Sequence, residues 1–177
     1  MENSFKKIWR LTLPYLKKGR RKDFIIHTKG VVKVLEMLLK KEKGDRDILI
    51  PAAILHDVGW AMVPLNLQKS NNKNKRVKAL KLHLKYAPSI IGEILNKCGY
   101  DQDKIKKIID IILAHKFKNP RHNNKRLLID ADALSDVFKK QFYSDIKSYD
   151  ITAKENYNLG GIIYFIQKPL KLFLIKN

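Results

Sequence analysis

The chain has 177 residues, 45% hydrophobic and 31% charged, which suits one folded domain with a continuous core and excludes a chain that is disordered throughout. Thirty-seven Lys plus Arg against seventeen Asp plus Glu leave a net charge of +20, which attracts polyanions such as nucleotides, nucleic acids and acidic membranes. A single cysteine, Cys98, excludes an internal disulfide framework and a thiolate-rich zinc site, and fits a reducing, cytoplasmic setting.

Helical patterns run through most of the chain. From Asp23, read as an N-cap, "DFIIHTKGVVKVLEMLLKKEKG" places Val31, Val34, Leu35 and Leu38 on one face with His27, then stops at lysines and Gly44. Asp47 is expected to cap the next helix, "DILIPAAILHD", with Pro51 placed in its first turn. That helix ends in "AAILHDVGW", where His56 and Asp57 follow four apolar residues. Residues 64–76 read as a basic loop. Next, "RVKALKLHLKYAPSIIGEILNKCG" carries His83 among Leu80, Ala87, Ile90, Ile91 and Ile94, and Pro88 either kinks it or starts a second helix. After a turn at Gly99, "DQDKIKKIIDIILAHK" sets Ile105, Ile108, Ile109, Ile112 and His115 on one stripe. Residues 118–126 read as a second basic loop. "LLIDADALSDVF" then offers Asp130, Asp132 and Asp136, of which Asp132 and Asp136 share a helical face.

Beyond residue 137 the pattern weakens, and a C-terminal helical extension over 138–177 is the expectation. Its apolar run, "LGGIIYFIQKPLKLFLIKN", is broken by Gln167, Lys168, Pro169 and Lys171 well short of a membrane span, and the amino terminus has no apolar leader. The domain reading is a single unit, 1–177, with its core at about 22–137. No strand pattern, internal repeat or glycine-rich phosphate loop competes.

Four of the five histidines, His27, His56, His83 and His115, lie on or at the ends of apolar faces, and only His122 sits in a loop. One such histidine is more often a satisfied core residue than a metal ligand; four together point to metal. An antiparallel hairpin brings His27 and His56 to one end. His83 and His115 lie sixteen residues before and after Gly99, so equal helical rise sets them level. Buried carboxylates need a cation, and a divalent metal suits Asp57 with Asp132, the aspartate expected to face inward, while Asp130 has an alternative role as a helix cap.

The order His27, His56-Asp57 and Asp132 resembles the H…HD…D signature of the HD superfamily of metal-dependent phosphohydrolases. The likeness covers about residues 22–137. It implies an all-α bundle with metal ligands at His27, His56, Asp57 and Asp132, of which His56 and Asp57 carry catalysis. His83 and His115 match two further histidines of the binuclear branches. One or two divalent ions are implied, with manganese, iron, nickel, cobalt, magnesium and zinc not distinguished by these ligands. The implied reaction is hydrolysis of a phosphoester or phosphoanhydride of a nucleotide by metal-activated water. Lys116 is the first candidate for binding substrate phosphate, with Lys118 and Arg121 behind it. Two alternatives stand: a di-iron oxygenase of the same fold, and a non-catalytic basic domain that binds nucleic acid.

Overall fold

A computed structural model describes residues 3–19, 24–116 and 120–136. The expected cap Asp23, Lys118 and the extension 138–177 lie outside them. The described residues form helices α1 (Asn3–Leu16), α2 (Phe24–Leu38) and α3 (Arg46–Leu55), then a 3-10 helix (Val58–Met62). Helices α4 (Leu65–Gln68), α5 (Lys73–Lys97), α6 (Gln102–Leu113) and α7 (Asn123–Ser135) follow, and no strand occurs among the described residues. The all-α expectation holds.

Helix α3 is the hub. Every residue from Ile48 to Leu55 is buried, as a helix apolar all round requires, and α1, α2, α6 and α7 pack against it. The outer helices bury one stripe each: Phe5, Ile8 and Leu16 on α1, Val31, Leu35 and Leu38 on α2, and Ile105, Ile108 and Ile112 on α6. Burial of these side chains is the main drive for the bundle.

Several boundaries differ from the sequence reading. Asp45, not Asp47, caps α3: its carboxylate accepts from the Asp47 backbone N–H at 3.0 Å. Pro51 therefore stands at the sixth helical position rather than in the first turn, and the helix tolerates it there. Pro88 neither ends α5 nor starts another helix; α5 runs through it for 25 residues. The expected loop at 64–76 contains α4 and the start of α5, which Asn72 caps through the Lys75 N–H. The expected loop at 118–126 contains the start of α7, and there Asn123 donates to the Lys43 carbonyl while Asn124 accepts from the Asp45 N–H. These asparagines tie α7 to the α2–α3 connection, so they are structural rather than loop filler. Asp130 lies inside α7, so it does not cap it; His122 holds the N-cap position, without a side-chain bond.

Gly99 has φ +80°, a left-handed conformation that glycine adopts without strain, and it turns the chain from α5 into α6. Asp101 then caps α6 through the Lys104 N–H at 2.8 Å. Cys98 is half-buried at the C-cap of α5 and packs against the core.

Candidate metal centre

The rigid end of α3 delivers His56 and Asp57, and neighbouring elements bring the other residues to them. His27 comes from α2, His83 from α5, His115 from the turn after α6, and Asp132 from α7. The four histidines and Asp57 are buried, with His56 and His83 fully enclosed. All six residues named from the sequence therefore meet in one place.

Asp57 stands at the centre, and its two oxygens face different histidines. Oδ2 lies 3.3 Å from His56 Nε2 and 3.7 Å from His27 Nε2. Oδ1 lies 3.7 Å from His83 Nε2 and 3.9 Å from His115 Nε2. On the first side, Asp132 Oδ1 is 2.9 Å from His27 Nε2 and 3.6 Å from His56 Nε2. On the second side the His83 and His115 rings meet edge to face, their centroids 5.5 Å apart. Two triads, His27–His56–Asp57 and Asp57–His83–His115, each present three ligand atoms within 4.8 Å of one another. They share only Asp57.

The ring orientations are fixed from behind. His56 Nδ1 donates to the Ala53 carbonyl at 2.8 Å, and His115 Nδ1 donates to the Ile112 carbonyl. A carbonyl can only accept, so both rings turn Nε2 toward Asp57. Behind His27, Nδ1 lies 3.1 Å from Ser135 Oγ and 3.2 Å from Asp136 Oδ1. Asp136, which shares a helical face with Asp132, is two-thirds covered beside His27.

Charge divides the two sides. Burial alone would lower the His27 and His56 pKa values, but the adjacent carboxylates outweigh it, raising both and carrying His56 to about 10. On the other pair burial, helped by the Lys116 charge, outweighs the aspartates: His83 falls to about 4 and His115 well below its ordinary value. The two aspartates resist the upward push of burial. His56 and Lys116 hold Asp57 well below the usual carboxylate range, and Lys116 and His27 do the same for Asp132. The pocket is built around buried anions that demand positive charge.

Both ring nitrogens of His83, and Nε2 of His115, are buried without a hydrogen-bond partner. A buried imidazole nitrogen without a partner is costly unless a cation or ligand takes its lone pair. Nitrogen and oxygen donors without sulfur suit a divalent first-row metal or magnesium. The residues present thus fit a metal, by their donor chemistry and by these orphaned nitrogens.

Three contributors escaped the sequence reading. Trp60 donates from its indole N–H to Asp57 Oδ1 at 3.2 Å and stacks on His83, centroids 4.7 Å apart and planes 12° apart. Gly59 lies against the His83 backbone, where an added Cβ would stand 2.1 Å from the His83 carbonyl oxygen. Ser135 supports His27. A glycine and tryptophan straight after the His-Asp pair were the available signal, but their partner lies more than twenty residues away. Lys116, expected to hold substrate phosphate, forms an ion pair with Asp132 Oδ2 at 2.7 Å, its side chain 23% exposed. Arg121 is exposed.

A search of curated proteins and of solved structures gives no significant match. Comparison with protein families matches the HD domain over residues 24–136, the span that runs from the first residue of α2 to the residue closing α7 and contains every member of the cluster. The chain belongs to the HD domain family.

Proposed function

We propose that the protein is a metal-dependent phosphohydrolase that cleaves a phosphoester or phosphoanhydride bond, with a nucleotide as substrate. The carrying observation is the division of Asp57, whose two oxygens each face a separate histidine pair. That arrangement suits a carboxylate shared between two cations. In this reading His27, His56, Asp57 and Asp132 hold the first ion, and His83, His115 and Asp57 the second.

A divalent cation held there supplies Lewis acidity, lowering the pKa of a coordinated water and neutralising charge on a phosphoryl oxygen. The chain's own residues do the rest. The carbonyls of Ala53 and Ile112 keep the Nε2 atoms of His56 and His115 aimed inward. Trp60 fixes the rotation of the Asp57 carboxylate. Lys116 stays charged, because the Asp132 and Asp57 carboxylates raise its pKa against burial, so it can meet a phosphate while remaining beside Asp132. The buried walls exclude bulk water and so strengthen each of these charges.

Elemental analysis of the purified protein, followed by a phosphate-release screen across nucleotides, tests this reading. Two ions per chain and release from a nucleotide are expected, with both lost in His56→Ala. A His56→Ala protein with full metal content and turnover would sink it. Oxygen consumption by an iron-loaded sample without phosphate release would replace it with the oxygenase alternative.

A further inference from the structure

The net charge of +20 is unevenly placed. Between Asp57 and Glu93 the chain has no acidic residue, and the cations of that stretch gather on α5. Lys75, Lys78, Lys81 and Lys85 follow one another by three, three and four residues, which puts them on one helical face. All four are exposed, and among the described residues none of their ammonium groups has a hydrogen bond or ion pair. Lys73 and Arg76 flank the stripe, also exposed.

This face is separate from the metal centre. His83 sits two residues from Lys81 and from Lys85, about 200° round the helix, and is fully enclosed while both lysines are exposed. Ala79, Ala87 and Ile94 share the buried side with it. The net charge of residues 137–177 is also positive, seven Lys against three Asp or Glu.

Like charges at this spacing repel one another, so the stripe costs the isolated helix stability. A polyanion removes that cost. Ten residues from Lys75 to Lys85 rise about 15 Å, the axial length of about four phosphates on one strand of a duplex. Asn74 and Ser89, also exposed on the face, are polar hydrogen-bonding groups suited to phosphate, Leu82 is half-buried, and Val77 is exposed at its edge. A lipid surface needs a broad apolar face that inserts beside the cations, and the stripe has only Val77 exposed at its edge. Exposed aromatic rings are absent from it too, so base stacking is not its mode.

We propose that the Lys75–Lys78–Lys81–Lys85 face of α5 is a docking surface for the phosphate backbone of nucleic acid, bound without regard to sequence. It is a second property of the chain, independent of phosphohydrolase chemistry.

The test measures binding of the full chain to a labelled single-stranded RNA and to duplex DNA of equal length, from 50 to 200 mM salt. Substituting the four stripe lysines with Gln is compared with Lys17, Lys40, Lys41 and Lys104→Gln, which removes the same charge from exposed sites elsewhere. The stripe variant should flatten the slope of log affinity against log salt by about 3 to 4, and weaken binding at 50 mM at least tenfold, on at least one of the two probes. The control variant should change both by less than half as much, and metal content should stay the same in all three proteins. Equal losses in the two variants would show diffuse charge and overturn the proposal. So would binding to phosphatidylserine vesicles without binding to either nucleic acid, or no binding to any of these by the unaltered chain. A larger effect on RNA or on DNA identifies which polymer the surface takes.

Discussion

His27 and His56 stand among several carboxylates, whereas His83 and His115 face one, Asp57, and otherwise stand among aromatic rings and one another. Around the first pair, Asp57, Asp132 and Asp136 concentrate negative charge, and the imidazoles answer by holding protons above their ordinary pKa. Around the second pair burial prevails, the rings are held neutral, and three nitrogens go without hydrogen-bond partners. One side is a charge trap; the other is a preshaped socket of lone pairs. Under the proposed two-ion reading, such a site would take one cation by electrostatic attraction and the other by donor geometry, with Asp57 common to both triads.

Removing the joint should have the largest effect. Asp57→Asn keeps the shape but takes away the shared charge, so metal content and phosphate release should both fall to background while the circular dichroism spectrum stays helical. Retention of two ions would disprove the shared role.

The next effect falls on the second side alone. In Gly59→Ala the new methyl meets a backbone oxygen, which cannot rotate aside as a side chain could. The 3-10 helix and α5 must separate, at a cost of about 1–3 kcal/mol in urea unfolding, as for overpacked cores. One ion per chain should remain, held on the His27–His56 side. Loss of the same ion with no loss of stability would mean that the contact does not position His83.

A finer cut spares the packing. Trp60→Phe preserves a stacked ring on His83 but removes the N–H that Asp57 Oδ1 accepts. Calorimetric titration with Mn(II) should show the weaker site lose about 10–100-fold in affinity, the range for supporting hydrogen bonds at metal sites, with the tighter site little changed. Equal weakening of both would show that Trp60 acts on the whole cluster.

The smallest effect is a slope against pH in the metal-free protein. His83 titrates near 4 in the fold and near 6.5 in an unfolded chain. The unfolded state takes up this proton first as pH falls, so the stability it contributes is complete above about 6.5 and is lost as pH drops through about 4. His56 runs the other way: its contribution is complete below about 6.5 and is lost as pH rises through about 10. His83→Phe, which keeps a ring against Trp60, should flatten the loss between pH 6.5 and 4 and leave the alkaline limb unchanged. An unchanged acid limb would assign that limb to other groups.

Much of the site was legible because its residues break a pattern. His27, His56, His83 and His115 interrupt apolar faces, and the equal spacing of His83 and His115 about Gly99 foretold rings that the fold sets 5.5 Å apart. Asp132 stood out from Asp130 by its apolar neighbours, Ala131 and Ala133, and its place two residues before Leu134. What escaped depended on tertiary contact. Ser135 supports His27 across 108 residues of chain, and Lys116 pairs with Asp132 across 16; no local spacing encodes either. Asp45 and Asp47 are both chemically able to cap α3, and only the backbone angles of Asp45 decide between them. The asparagine-rich loops misled because the residues that favour turns also cap helices, as Asn72 does.

The clasp on His83 carries a consequence for how this chain tolerates change. Gly59 fits beneath the carbonyl of His83 and Trp60 covers its ring, while the Gln68 side chain donates to the carbonyls of Trp60 and Val63 and folds α4 back on the same turn. The register of α5 is thereby set by contact rather than by chain length. The short link at Ser70 and Asn71, before the Asn72 cap, is relieved of that duty. It is a natural seam, where residues can be added or the backbone nicked while His83 stays seated opposite Asp57.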